Sequence, residues 1–166
     1  AGDTLVIAGL GSDRVSSTDG NGVVLGDNGE IQYTAGVLTR AVSTNPTLGG
    51  DDVLDLGAGD KLVIAGQGAD RVNAGDGDNL VIGDHGEVLW TDTGLLQQVR
   101  STDMALGGDD NITLGDGDNT VIAGKGNDIV GTGSGDDLVV GDNGQADYDA
   151  AGLLSLVQTT DLDVST

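Results

Sequence analysis

The sequence has no cysteine, no phenylalanine and a single proline, and aromatic residues make up only 2% of its 166 positions. Without cysteine, no disulfide can stabilise the fold and no thiolate can bind a metal. A conventional globular core is richer in large side chains, so this composition favours a stack of short repeats. No apolar run is long enough to cross a bilayer, which argues against membrane insertion.

Positive charge is also scarce. The chain has 6 Lys and Arg against 28 Asp and Glu, a formal net charge of −22. Nucleic-acid binding needs clustered Lys and Arg, so that class of partner is disfavoured. Such a charge opposes compaction unless cations neutralise it. With His85 as the only histidine, most acid–base and nucleophilic schemes have no candidate residues, and we expect no enzymatic activity.

Glycine, by contrast, is abundant, with 31 residues, and it recurs with a period of nine. The period is clearest in residues 107–144, where Asp or Asn follows each phased glycine by two positions and an aliphatic residue follows two later. The phased glycines of this stretch are Gly108, Gly117, Gly126 and Gly135. Glycine permits the positive φ of tight turns, and β-branched residues suit short strands. The period therefore predicts turns that alternate with short strands.

Two segments, GKGNDIV (Gly124–Val130) and GSGDDLV (Gly133–Val139), resemble the calcium-binding RTX nonapeptide G-G-x-G-x-D-x-U-x, in which U is a large aliphatic residue. The resemblance implies a parallel β-roll, a kind of β-solenoid. In such a roll, loops two nonapeptides apart stack on the same side and share Ca²⁺ ions. It also implies a repeat segment of a giant secreted bacterial protein, located outside the cell or at its surface.

A longer repeat contains the nonapeptides. Ala1–Val15 recurs as Ala58–Val72 and again as Asp116–Val130, at steps of 57 and 58 residues. We therefore expect one array of about three units, residues 1–57, 58–115 and 116–166. In each unit a GD-x-G motif interrupts the period of nine. About twenty residues follow the motif, and they include an aromatic residue and a turn glycine. Alternation around this glycine predicts a β-hairpin, with a short helix over LLQQVRS as the rival. The predicted fold is all-β, a parallel β-roll interrupted by β-hairpin insertions.

Calcium takes several oxygen ligands from carboxylates and main-chain carbonyls, which Asp-bearing glycine turns supply. By the resemblance, the best ligand pairs are Asp52 with Asp70, Asp110 with Asp128, and Asn119 with Asp137. Other loops are degraded: Asp13 is intact in the first unit, whereas Lys61 replaces the expected Asp opposite Asn79. We expect full sites on one side of the roll and weak or absent sites on the other. Magnesium and zinc suit these residues less well.

The three GD-x-G aspartates have two interpretations. Asp27, Asp84 and Asp142 either bind calcium together with Asp103 or Asp161, or they only form the turn into the hairpin.

The residues that flank the inward aliphatic positions differ between the two expected sheets. In one sheet they are polar, and in the other they are apolar in all three units, as in Leu62 and Ile64 around Val63. A large exposed apolar stripe marks an interaction surface. We expect its cover to be either the hairpins of the chain, through Val88, Trp90, Leu95 and Val99, or a second chain, which would assemble the protein into a fibre or layer.

The leading functional hypothesis is a non-catalytic structural segment: an adhesin stalk, a surface layer or an extracellular fibre. The alternative is a carbohydrate-binding β-roll module attached to a polysaccharide-modifying enzyme, with Tyr33, Trp90 and Tyr148 as the candidate sugar-stacking residues. Ice binding is disfavoured, because the strands carry LVI and TVI instead of a rank of Thr or Asn.

Overall fold

The structure, a computed structural model, describes residues 2–161. Over these residues the chain forms seventeen strands and no helix, so it is all-β as predicted. The rival helix over LLQQVRS is wrong, because Leu96–Ser101 is a strand. None of the described segments is a helix able to cross a bilayer. Ala1 and residues 162–166, the outer ends of the predicted array, lie outside the described residues.

The first parallel sheet, here called the central sheet, has six strands in the spatial order β1-β3-β7-β9-β13-β15. Their hydrophobic, β-branched sequences (TLVI, GVVL, KLVI, LVI, TVI and LVV) suit a sheet that is covered on both faces. The strands are β1 (Thr4–Ile7), β3 (Gly22–Leu25), β7 (Lys61–Ile64), β9 (Leu80–Ile82), β13 (Thr120–Ile122) and β15 (Leu138–Val140).

The second parallel sheet, the outer sheet, has five strands in the order β14-β12-β8-β6-β2. Its sequences alternate apolar and polar residues, as in RVNA and NITL, so one face is apolar and the other polar. The strands are β2 (Arg14–Ser17), β6 (Val53–Leu56), β8 (Arg71–Ala74), β12 (Asn111–Leu114) and β14 (Ile129–Gly131).

The third sheet, the hairpin sheet, contains the three insertions as antiparallel hairpins in the order β17-β16-β11-β10-β5-β4. The predicted hairpins are therefore confirmed, and each turns at the expected glycine with a positive φ, 85° at Gly36, 83° at Gly94 and 78° at Gly152. The strands are β4 (Gly29–Thr34), β5 (Val37–Ser43), β10 (Gly86–Trp90), β11 (Leu96–Ser101), β16 (Gly144–Tyr148) and β17 (Leu154–Thr159).

The chain alternates between the central and outer sheets, and the insertions do not break either sheet. Neighbouring strands pair residues 18 positions apart where no hairpin intervenes, as in Val6 with Val24. They pair residues 39 or 40 apart across a hairpin, as in Val24 with Val63 and Val81 with Val121. Each of the first two hairpins thus adds 21 or 22 residues while the inward valines stay in one row.

The inward aliphatic residues of the two parallel sheets form one core, as the period of nine predicted. Val24, Val63, Val81 and Val121 of the central sheet are fully buried against Leu54, Val72 and Ile112 of the outer sheet. Small residues in the turns, Ala65 and Ala123, complete this cluster.

A second core lies between the central sheet and the hairpin sheet. Leu62, Ile64 and Ile82 of the central sheet pack in one cluster with Val88 and Val99 of the hairpins. The hairpins of the same chain therefore cover much of the apolar stripe, whereas Leu5 and Ile7 at its β1 end are 58% and 46% exposed. Trp90 is half-buried against this core, whereas Leu95 is 40% exposed. The prediction for Leu95 is wrong, because a bulge at Leu89/Trp90 places Leu96 opposite Trp90.

We predict that the covering role of the hairpins is measurable by a matched pair of substitutions. Val99 is 0% exposed, and Val157, its counterpart in the third hairpin, is 40% exposed. Val99→Ala should lower the free energy of unfolding by about 2 kcal/mol because it opens a cavity between two sheets. Val157→Ala should lower it by about 0.5 kcal/mol or less. Equal losses in urea unfolding would contradict this packing.

Candidate metal centre

Five aspartates mark the edge at which the chain enters the outer sheet, here called the carboxylate edge. Each precedes the first residue of an outer strand by one position, so the parallel register brings them into one row: Asp13, Asp52, Asp70, Asp110 and Asp128. The predicted pairs Asp52 with Asp70 and Asp110 with Asp128 are neighbours in this row. Asp70 and Asp110, which lie 40 residues apart in sequence, are neighbours as well.

Main-chain hydrogen bonds fix one oxygen of each successive carboxylate. The amide of Asp13 donates to Oδ1 of Asp52 at 2.8 Å, and the amide of Asp52 donates to Oδ1 of Asp70 at 2.7 Å. In the same way, the amide of Asp70 donates to Oδ1 of Asp110 at 2.8 Å, and the amide of Asp110 donates to Oδ1 of Asp128 at 2.9 Å. These hydrogen bonds hold Oδ1 of Asp52, Asp70, Asp110 and Asp128 in the same way, which leaves Oδ2 of these four side chains as the free oxygen.

The second oxygens of this row have no partner. Oδ2 of Asp13, Asp52, Asp70, Asp110 and Asp128 is buried without a hydrogen bond. Because a buried acceptor without a donor costs about 1–3 kcal/mol, and a buried charge more, five such atoms in a row call for a ligand.

Asp27 and Asp84, from two of the GD-x-G motifs, lie beside the row. Asp27 accepts a hydrogen bond at 2.5 Å from the amide of Gln67, and its Oδ1 is buried without a partner. Asp84 accepts from the amide of Gly108 at 3.0 Å and from the amide of Lys125. Both carboxylates therefore accept main-chain amides from loops that follow the hairpin of their own unit. Asp142, the third member, is exposed, and Asp161 accepts from Asn143 Nδ2.

Glycine leaves space for oxygen atoms at this edge. A Cβ placed on Gly26 would lie 2.3 Å from Asp52 Oδ2 and 2.4 Å from the carbonyl oxygen of Ala65. A Cβ on Gly83 would lie 2.3 Å from Asp110 Oδ2 and 2.2 Å from the carbonyl oxygen of Ala123. Each glycine thus borders a point on which a carboxylate oxygen and a main-chain carbonyl oxygen converge. This mixed oxygen environment is the one that calcium prefers.

Burial raises the pKa of these carboxyl groups, to about 6 for Asp52, about 9 for Asp70 and about 8 for Asp110. The neighbouring carboxylates raise each pKa further. The pKa of Asp128 is raised for the same reasons, and burial raises that of Asp27 to about 6 and that of Asp84 to about 7. Without a cation, the row therefore holds protons at pH values at which an ordinary Asp has lost them.

The protein's own cations do not neutralise the row. Of the 6 cationic side chains, Arg14 and Arg71 pair with Asp55, and Arg40 and Arg100 pair with Glu87. Lys61 lies at the opposite edge, and Lys125 is exposed and forms no ion pair within residues 2–161, although its charge lowers the pKa of Asp84. Protons or an external cation are therefore the remaining means of neutralising these charges.

The residues fit calcium only if main-chain oxygens take part. Within residues 2–161, no three Asp, Glu, His or Cys side chains converge on a single point that could hold a metal. Carbonyl oxygens such as those of Ala65 and Ala123 must therefore complete any coordination shell, and calcium accepts them readily. The donor set is hard oxygen throughout, which agrees with calcium and disfavours zinc.

The opposite edge, at which the chain enters the central sheet, is here called the amide edge. It carries Lys61, Asn79, Asn119 and Asp137 in one row. Lys61, 2% exposed, directs its ammonium at the carbonyl oxygens of Gly20, Ala58 and Gly59, at 2.7, 3.0 and 2.8 Å.

Two asparagines of the amide edge act in the same way as Lys61. Nδ2 of Asn79 donates to the carbonyl oxygens of Gly75 and Gly77 at 3.1 and 2.9 Å. Nδ2 of Asn119 donates to those of Gly115 and Gly117, at 3.3 and 3.0 Å, and to Asp137 Oδ1 at 2.9 Å. Donors of the protein itself thus occupy the carbonyl oxygens that a cation would need. The structure brings Asn119 and Asp137 together, as predicted, but through a hydrogen bond.

The candidate sugar-stacking residues do not form one exposed face. Tyr33 is 50% exposed, whereas Trp90 and Tyr148 are half-buried and pack against the core under the hairpin sheet. A scan of known family models, curated proteins and solved structures finds no match to this chain.

We predict that the calcium-free chain becomes less stable as pH rises. The folded-state pKa values of Asp52, Asp70 and Asp110 lie above the ordinary value of 3.8. The folded state therefore keeps protons that the unfolded state releases, and this contribution is complete below about pH 4 and lost as pH rises to about 9. Urea unfolding in chelator from pH 5 to 9 should show a falling midpoint. A rising midpoint over that range would be inconsistent with an unneutralised row.

We also predict that Lys61 stabilises the fold independently of calcium. Lys61→Met removes the buried ammonium that donates to three main-chain carbonyl oxygens and should lower the free energy of unfolding by about 2 kcal/mol or more, equally with calcium and with chelator. The exposed Lys125→Met is the control and should change it by about 0.5 kcal/mol or less. A reduced number of bound calcium ions in Lys61→Met would show that the amide edge does bind metal.

Proposed function

We propose that this chain is a non-catalytic, calcium-binding repeat segment whose two parallel sheets form a β-roll of the RTX type, interrupted by hairpins. The alternation of strands between two sheets and the 18-residue register support the roll. The nonapeptides at Gly124–Val130 and Gly133–Val139, which resemble the RTX repeat, support the family.

The observation that carries the proposal is the row of buried Oδ2 atoms without partners at the carboxylate edge. Asp52, Asp70, Asp110 and Asp128 are the proposed principal ligands, with Asp13 at the end of the row. Asp27 and Asp84 add charge beside them, and carbonyl oxygens such as Ala65 O and Ala123 O complete the oxygen set. Asn79, Asn119 and Asp137 are not part of this set, because their edge is held by hydrogen bonds.

Calcium in this row would couple binding to folding. The net charge of −22 opposes a compact stack, and a divalent cation between adjacent turns would offset both the global repulsion and the local burial of charge. Because the ligands come from turns that meet only in the folded chain, the free energy of metal binding becomes free energy of folding. Such a protein folds where calcium is plentiful, which favours an extracellular or cell-surface location.

The proposed role is mechanical: a stalk, a surface layer or an extracellular fibre of a secreted bacterial protein. Each added strand lengthens a sheet by about 4.8 Å, so a tandem array of this kind is a spacer whose length follows its repeat number. Calcium would set its stiffness by locking one turn to the next along the carboxylate edge.

The decisive substitution is Asp70→Asn. It places at the carboxylate edge the residue type that the amide edge uses. There, Nδ2 of Asn79 donates to the carbonyl oxygens of Gly75 and Gly77. In chelator at pH 7, Asp70→Asn should raise the free energy of unfolding by about 1–3 kcal/mol, because it removes a buried, unpartnered carboxyl group. In saturating calcium it should lower that free energy, because a charged ligand is lost.

Urea unfolding of the wild-type chain and of Asp70→Asn, with and without calcium, measures the change in the free energy of unfolding in each condition. Calorimetric titration measures the number of calcium ions that each chain binds. The matched control is Asp118→Asn, an exposed carboxylate on the other edge that accepts the same kind of main-chain hydrogen bond, from Asp136. It should leave calcium stoichiometry unchanged. If wild-type stability does not respond to calcium, or if Asp70→Asn changes stability with the same sign in both conditions, the proposal fails.

A further inference from the structure

A cleft of about 430 Å³ opens between the amide-edge end of the central sheet and the tips of the first two hairpins. Its floor crosses the beginnings of four neighbouring strands, β1, β3, β7 and β9, and is apolar where Leu62 lies. Tyr33 and Trp90 line it from the hairpin sheet. The volume is in the range of small-molecule sites. No ligand proposed above for calcium lines this cleft.

One side of the cleft is acidic. Asp3, Asp60 and Asp78 line it, all three are exposed, and none forms an ion pair with another part of residues 2–161. Lys61 is the one cationic residue of the lining, but its ammonium is bound to three main-chain carbonyl oxygens beneath the surface. Three carboxylates against one ammonium leave the lining with a net charge of −2, which selects cations.

The spacing of these carboxylates suits a linear ligand. Asp60 and Asp78 occupy equivalent positions on adjacent strands, since the amide of Asp78 donates to Oδ1 of Asp60 at 3.0 Å. Adjacent strands lie about 4.8 Å apart, a spacing that two amines joined by a three-carbon chain can match. Asp3 lies on the same side, at the start of β1, two strands from β7.

The aromatic side favours an organic cation over a bare metal ion. The faces of Tyr33 and Trp90 attract ammonium groups through the ring quadrupole and also pack against methylene chains. A hydrated metal ion gains little from an apolar floor and two aromatic rings. A neutral oligosaccharide could stack on the rings, but it would leave the negative charge of the lining uncompensated.

We propose that this cleft binds a linear aliphatic polyamine, with ammonium groups on Asp60 and Asp78 and the methylene chain between Leu62 and the rings of Tyr33 and Trp90. The site is independent of the proposed calcium function, because its residues lie away from the carboxylate edge. Binding should weaken as ionic strength rises, since exposed charges carry much of it.

Trp90, the only tryptophan, is the reporter. In the calcium-saturated chain at constant ionic strength, spermidine should change Trp90 emission saturably, and fully acetylated spermidine, which has no charge, should not. Asp60→Asn with Asp78→Asn should weaken spermidine about tenfold, the effect of losing two partly desolvated ion pairs. Asn keeps the Oδ1 acceptor, so the amides of Asp78 and Asp118 can still donate to positions 60 and 78.

The matched control is the pair Asp76→Asn and Asp116→Asn. These two exposed carboxylates lie on the same edge and accept the amides of Asp116 and Ser134, but they do not line the cleft. The control should bind spermidine within about twofold of wild type, a difference of about 0.4 kcal/mol. Equal weakening in both double variants, an absent Trp90 response, or a response to a neutral oligosaccharide but not to spermidine would each overturn the proposal.

Discussion

A row of buried carboxylates that no cationic side chain neutralises is the constraint on which the rest of the structure depends. The parallel register stacks one aspartate per turn at the carboxylate edge and leaves Oδ2 of each without a donor. Taking a charge out of water without a partner costs several kcal/mol, so the fold must either hold protons there or bind a cation. Burial raises the pKa of Asp70 to about 9, so protonation is the favoured state of this carboxyl group at neutral pH when no cation is bound.

The amide edge meets the same structural problem without metal. Its glycine turns also direct carbonyl oxygens inward, but the ammonium of Lys61 and the side-chain amides of Asn79 and Asn119 donate to them. The amide edge is thus held by donors of the chain itself, and the calcium proposed above would act at the carboxylate edge.

The sequence predicted the period, the inward valines and the hairpins, because each depends on local chemistry: glycine turns, β-branched strands and alternation. It could not predict that Lys61 and Asn119 donate to carbonyl oxygens, since a ligand-like spacing does not reveal which way an amide turns. The sequence also did not identify Asp70 and Asp110 as neighbours. They lie 40 residues apart, and pairing loops eighteen residues apart leaves out the hairpin between them. The bulge at Leu89/Trp90, which places Leu96 instead of Leu95 opposite Trp90, likewise depends on how the strands pair.

Amide hydrogen exchange along the two edges tests the central claim most directly. The amides of Asp52, Asp70 and Asp110 donate to carboxylates of the carboxylate edge, and those of Lys61, Asn79 and Asn119 form the corresponding ladder of the amide edge. At neutral pH, gradual removal of calcium should lower protection of the first three amides before that of the second three. Simultaneous loss at both edges, or loss at the amide edge alone, would contradict the account.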